Sequence, residues 1–336
     1  MKVHLLYRNR DFDFQAPLPW SAEALIKDLE LGTLFGAMAQ DDEFLFEAIR
    51  QVFLTGFETQ IGTIRYRQEI LQDCLKQPRA VRELYALAGE AMELSKKQYI
   101  GFLVHNPDAV LWGAIDHMKT FLGVIRKLRG FADSHAGSFD SEGWNAFFSR
   151  LQQELDDEYL AGIERHLGVL RFRHQLVLSA ELGAGNKGDR YLLHRPGSHR
   201  GTWLERLILW LKTFFGWRNS PGAYGFSLHP NDESGARALS ELRNRAISDA
   251  ARTLAQARDN VRDFFTALQK ELAFYVGCLN LQKQLDDMGE PLCFPVPEAF
   301  APRRLSFRGL YDVCLSLRMK RRVVGNDAGA DGKDLV

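Results

Sequence analysis

The stretch Asp232–Asp287 reads DESGARALSELRNRAISDAARTLAQARDNVRDFFTALQKELAFYVGCLNLQKQLDD, and its periodicity decides the fold. Leu239, Leu242, Ala246, Ala250, Leu254, Ala257, Val261, Phe264, Leu268, Leu272 and Val276 recur every three to four residues, the spacing of one helix face. No proline falls between Pro230 and Pro291. Asn231 or Asp232 is placed to cap the start, and Gly289 followed by Pro291 makes the stop. The spacing predicts a single rod of roughly 80 Å at about 1.5 Å per residue, far beyond the average helix of about 11 or 12 residues. An apolar stripe on so long a helix needs an antiparallel partner. Residues 141–170 fit that place, with Trp144, Phe147, Phe148, Leu151, Leu155, Tyr159, Ile163, Leu167 and Leu170 at helical spacing. The expectation is an elongated arm.

Upstream, residues 21–100 read as helical almost throughout. Ser21 is placed to cap a helix through Leu25 and Leu29, and Asp41 or Asp42 to cap the next, which carries Phe44, Ala48, Ile49 and Val52 on one stripe. Pro78 separates a helix ending near Lys76 from one running from Arg79 to about Tyr99. Asn106-Pro107-Asp108 combines a capping side chain, a first-turn proline and a first-turn acid, so a helix starts there and runs on through Val110, Ile115, Phe121 and Leu128. A Gly/Ser/Asp stretch at 130–140 reads as a turn.

Between the two rods the texture changes. Gln175–Leu182 (QLVLSAEL) alternates with period two, Asp189–His194 (DRYLLH) is strand-like, and Gly183–Gly188 suits the loop of a hairpin. That loop also matches GxGxxG, but a dinucleotide turn requires a helix after the glycines, and here a strand-like segment follows. From Phe294 onward short strands punctuated by proline are expected, at Arg304–Phe307, at Val323 and Val324, and at Leu335 and Val336.

Acidic and basic residues balance at 43 each, so any nucleic-acid footprint must be local. Cys74, Cys278, Cys293 and Cys314 stand apart without metal-ligand spacing, as in a reduced cytoplasmic protein. The sequence contains no GxSxG, HExxH or GxxxxGK[ST], so no catalytic or metal residue is assigned. Thr202–Trp217 (TWLERLILWLKTFFGW) is strongly apolar, but it carries Glu205, Arg206 and Lys212 and is shorter than the ~20 residues of a membrane span. It reads as an amphipathic helix, packed on its own protein or lying on a surface. Lys187, Arg190, Arg195, His199 and Arg200 cluster in the insert, where loop cations suit phosphate contacts. A second cluster, Arg318, Lys320, Arg321 and Arg322, reads as a solvated edge.

Lys27–Leu31 (KDLEL), Ile64–Pro78 (IRYRQEILQDCLKQP) and Arg82–Ala88 (RELYALA) resemble the opening of the MutS core domain. Leu310–Leu317 (LYDVCLSL) and Val323–Val336 (VVGNDAGADGKDLV) resemble the stretch that precedes the Walker A strand in that family. The resemblance covers nearly the whole chain and is sharpest at residues 27–90 and 305–336. It implies a helical lever whose two long helices carry a DNA clamp and return to an ATPase domain, with Val324 and Asn326 matching an adenine-contacting element. The chain starts too close to the lever to hold an N-terminal mismatch-reading domain, and its insert is shorter and more apolar than the usual clamp.

The expectation is therefore a mainly α, long-helix lever fold. Residues 1–170 form its first part, 171–230 a clamp-like insert with a small β component, 231–290 the returning helix, and 291–336 the first strands of an ATPase domain cut before its phosphate loop. The implied partner is mismatched or branched DNA, with a homodimer in the full-length protein and no membrane. The implied cofactors, ATP and Mg, belong to the full-length parent and not to this chain. The rival expectation is a non-enzymatic helical scaffold docking a protein or a membrane surface through the aromatic insert.

Overall fold

The computed structural model describes the backbone of residues 1–97, 107–170, 177–182, 188–194, 233–299 and 304–333, and the side chains of these except 97, 107–110, 169–194 and 233–251. Helix accounts for 69% of the described residues, so the chain is mainly α. In chain order the elements are α1 (Ala22–Asp28), α2 (Leu31–Ala39), α3 (Glu43–Thr55), α4 (Ile61–Lys76), α5 (Pro78–Lys97), α6 (Pro107–His135), α7 (Glu142–Glu154), α8 (Asp157–Leu170), β1 (Val177–Leu182), β2 (Gly188–His194), α9 (Glu233–Asp287), β3 (Ser306–Leu310), α10 (Val313–Met319) and β4 (Asn326–Gly329). Contacts group them into two units, one of Met1–Ile100, Thr120–Leu160 and Ala257–Val336, the other of Gly101–Lys119 and Ala161–Gln256.

Several elements begin where the sequence offers a cap. Asp42 accepts the Leu45 N–H at 3.0 Å to open α3, and Pro78 opens α5 at the position where its missing N–H costs nothing. Ser21 occupies the N-cap of α1 without a side-chain capping bond. The 130–140 stretch is not a simple turn, because α6 runs on to His135 and a 3₁₀ turn follows at Ala136–Ser138.

The 55-residue helix α9 spans the stretch that the periodicity marks. Gly289, at φ +73°, ends it. The Glu290 N–H reaches the Leu285 carbonyl and the Gly289 N–H the Asp286 carbonyl, both at 3.0 Å, which satisfies the last turn.

A single apolar stripe understates α9. Leu272, Ala273, Tyr275, Val276 and Leu279 are all buried, as are Glu271 and Asn280, so this part of the helix is enclosed on nearly every side. It is the central helix of its unit. An antiparallel neighbour there is α5. Arg82 Nη2 donates to Asn280 Oδ1 at 2.7 Å, Gly89 lies against Gln269, and Thr266 Oγ1 donates to Met92 Sδ at 3.3 Å. Rising numbers on α5 thus meet falling numbers on α9. Phe265 stacks on Phe121 of α6, and Phe274 packs against Phe53 of α3.

Residues 141–170 are two helices. Arg129 of α6 donates Nη1 to the carbonyls of Gln152 (2.9 Å) and Leu155 (3.1 Å), holding the end of α7. Asp156 then accepts the Tyr159 N–H at 2.6 Å and starts α8. α7 packs against α4, where Gly143 leaves no room for a Cβ beside Ile70. It also packs against α6, where Phe148 meets Phe131.

The amino-terminal segment has no helical or strand period, yet Val3, Leu5 and Leu6 are at most 1% exposed. Side chains from the helices bind its backbone. Tyr66 Oη donates to the His4 carbonyl at 2.6 Å, and Arg67 Nε donates to the Leu6 carbonyl at 2.8 Å. In the second unit β1 and β2 form the expected hairpin, pairing Val177 with His194 and Leu182 with Gly188 around a bulge between Ser179 and Glu181. Leu111, Ala114, Ile115 and Met118 of α6 are buried there, with Leu167 of α8 and Leu254 of α9.

Candidate functional site

Two regions carry the residues singled out from the sequence. In the insert, Arg190 lies within β2, between Asp189 and Tyr191. Lys187, Arg195, His199 and Arg200 lie outside the described residues, as does the aromatic stretch 202–217. No helix among the described residues is long and apolar enough to cross a membrane.

The carboxyl-terminal region is built from the end of α9 outward. Glu290, directly after the terminating Gly289, is 4% exposed. Its Oε1 accepts the Ser316 hydroxyl and the Val323 N–H, both at 2.7 Å. Tyr311 Oη donates to the Pro291 carbonyl at 3.1 Å. Asp312 caps α10 by accepting the Leu315 N–H at 3.0 Å, and α10 packs on α2, with Arg318 3.2 Å from Glu30. Of the second basic cluster, Arg318 is therefore paired, while Lys320, Arg321 and Arg322 are exposed, the solvated edge that the sequence suggested.

β3 and β4 pair antiparallel, Ser306 with Gly329 and Leu310 with Asn326. Two glycines are required here. Gly309 adopts φ +61°, and a Cβ on Gly325 would run into the Gly309 backbone. The Gly309 N–H donates to Asp327 Oδ1 at 2.6 Å. Residues 306–308 and 327–329 bound a concavity of about 580 Å³. The strand expected at Val323 and Val324 lies instead at Asn326–Gly329. Val324 is 87% exposed in the loop before it, and Asn326 is its exposed first residue. The two are close in the chain and face solvent. Neither belongs to a glycine-rich GxxxxGK[ST] loop, a motif that the sequence does not contain.

The cysteines are thiols. Burial pushes Cys74 well above its ordinary pKa and Cys278 up to about 12, which favours the protonated thiol in both. Among the described residues no three His, Cys, Asp or Glu side chains group as a metal site. Sequence reading missed Glu271, a fully buried carboxylate in α9. Its signal was available: at i+3 from Leu268 and i−4 from Tyr275 it sits on an apolar face.

These features define a mainly helical chain that contains a β-hairpin and one helix of 55 residues. The chain belongs to the MutS2 N-terminal domain family, whose model matches residues 59–288, more than half of its length. The match opens just before α4 and closes at the last turn of α9. It takes in the insert and leaves the carboxyl-terminal hairpin outside. No curated protein and no solved structure matches the chain.

Proposed function

We propose that this chain is the lever-and-clamp portion of a MutS-related DNA-binding ATPase acting in DNA repair or recombination. In this reading the β1–β2 insert is the clamp, and Lys187, Arg190, Arg195, His199 and Arg200 contact DNA phosphates. Residues 291–336 are the opening strands of an ATPase domain whose phosphate loop follows Val336. ATP and Mg are held there, with Val324 and Asn326 touching the base. The full-length protein is a cytoplasmic homodimer.

The observation that supports this reading is the placement of α9. An unbroken helix of 55 residues, preceded by a hairpin insert, falls inside the span that matches the family. A continuous helix passes displacement from one end to the other without a flexible joint, as coupling between a DNA contact and an ATPase requires. Reading the coding sequence past Val336 tests it. A GxxxxGK[ST] stretch within about fifteen residues is expected, as the phosphate loop of such a domain; a stop codon there sinks the assignment.

A further inference from the structure

The helices α3, α4 and α9 enclose, with the lip 292–295, a cleft of about 760 Å³. That volume falls within the range of small-molecule sites, about 300–1,000 Å³. Ile64, Leu71 and Leu75 of α4 line one side, and Phe274, Leu281 and Leu285 of α9 the other. Each set spans three helical turns, so the cleft is roughly 16 Å long. The lip is tied to α4 by Gln68 Nε2, which donates to the Pro295 carbonyl at 2.8 Å. Cys278 in the wall adds no charge, since its thiol stays protonated. At the rim Phe57 is 71% and Leu292 50% exposed, apolar edges standing in water.

One guanidinium lines this apolar space, and it is incompletely satisfied. Arg67 donates Nε to the Leu6 carbonyl at 2.8 Å and Nη1 to the Gly56 carbonyl at 2.7 Å, and its guanidinium lies 4.4 Å from the centre of the Tyr7 ring. Its Nη2 is shut away from solvent and has no hydrogen-bond partner. Glu58 also lines the cleft, but its Oε1 is occupied by the Thr59 and Gln60 N–H groups at 2.8 and 2.9 Å. Its pKa is held down chiefly by the Gln60 N–H, with Arg67 a weaker contributor. A buried cationic donor without an acceptor is costly, and buried polar groups are satisfied as a rule.

We propose that the cleft is a binding site for a long-chain carboxylate, with the chain lying between α4 and α9 and the carboxylate on Arg67. The apolar walls recognise the chain. The spare donor of Arg67 recognises the head, which a neutral alcohol of the same length pairs poorly and a cationic amphiphile not at all. Nη2 is closed to solvent, so the Arg67 guanidinium must shift to meet the head. This site is independent of the DNA reading given above.

Titration calorimetry of the full chain with dodecanoate below its micellar concentration tests this. Saturable binding of one dodecanoate per chain is expected, at least tenfold tighter than dodecanol. Leu71→Trp, which fills the cleft, should weaken binding at least tenfold with the far-UV circular dichroism unchanged. If that variant does not fold, Leu292→Glu at the exposed lip, which sets a like charge against the carboxylate, should weaken binding in the same direction. Absence of saturable heat overturns the site, as does undiminished binding by the folded cleft variant. Equal affinity for dodecanol and dodecanoate overturns the role of Arg67.

Discussion

The carboxylate of Glu271, deep in α9, lies 2.8 Å from the backbone N–H of Leu5 at the start of the chain. The same Oε2 accepts the Leu6 N–H at 3.0 Å, and Oε1 accepts the Phe12 N–H at 2.8 Å. One turn further on, Tyr275 Oη donates to the Leu5 carbonyl at 2.6 Å. The central helix therefore supplies both acceptors and a donor to a segment that has no secondary structure to satisfy itself.

Replacing Glu271 by Ala leaves three buried N–H groups without acceptors. Each such loss costs about 1–3 kcal/mol, so a destabilisation of roughly 3 kcal/mol or more is expected, read as a lower urea midpoint. A loss below about 1 kcal/mol in urea unfolding would mean that the three bonds contribute little.

Burial also raises the pKa of Glu271 to about 7, against the opposing pull of the Phe12, Leu5 and Leu6 N–H groups. An unfolded glutamate titrates near 4.5. Between these values the folded state binds more protons than the unfolded one, so stability falls as pH rises. The contribution of this group is greatest below about 4.5, declines through the window from 4.5 to 7, and is flat above it. The whole effect is on the order of 3 kcal/mol. Glu271→Gln should remove that slope, so the difference between wild type and variant, measured by urea unfolding from pH 5 to pH 8, should change across the window. A pH-independent difference would place the folded pKa near its unfolded value.

Gly277 sits inside α9, where alanine ordinarily gains about 1 kcal/mol of helix propensity. Here a Cβ would fall 2.6 Å from Ile49 Cδ1 and 3.3 Å from Met38 Cε, and Ile49 is fully buried. Overlap wins, and Gly277→Ala should destabilise by about 1–3 kcal/mol. Adding Ile49→Val, which deletes the obstructing methyl, should recover part of the loss. A double-mutant cycle showing additive effects would mean that the two side chains do not compete for this space.

The long helix was legible because its periodic residues, the lack of proline and Gly289 all point the same way. The β1–β2 hairpin was legible from its period-two alternation. The break between α7 and α8 was not, since Leu151, Leu155 and Tyr159 continue a helical spacing across it. It is imposed by Arg129, which binds the carbonyls of Gln152 and Leu155 from another helix. The misplaced strand at Val323 has a similar cause, because its N–H is taken by Glu290 and is lost to a sheet ladder. The amino-terminal segment lacked any local signal, as its backbone partners lie some 60 to 270 positions away, at Tyr66, Arg67, Glu271 and Tyr275. The insert cations are neighbours in the sequence, all but Arg190 lie outside the described residues, and their role is a matter for experiment.

That experiment is charge reversal. The chain balances 43 basic against 43 acidic residues, so a general attraction to DNA is not expected and any affinity must come from a local group. Lys187, Arg190, Arg195 and Arg200 are that group in the proposed clamp. Four phosphate contacts predict a log–log dependence of affinity on salt with a slope of about −3 to −4. Changing all four to Glu should abolish retention of duplex or branched DNA at low salt and remove that dependence. Binding by the isolated chain is expected to be weak, because one arm lacks the avidity of a closed dimer, so the measurement belongs at low ionic strength. If the variant's affinity stays within about a factor of two of wild type, the insert does not carry the DNA contact. Liposome flotation that depends on Trp210 and Phe214 would then point to a surface-docking scaffold, an outcome that the aromatic stretch 202–217 makes worth measuring in parallel.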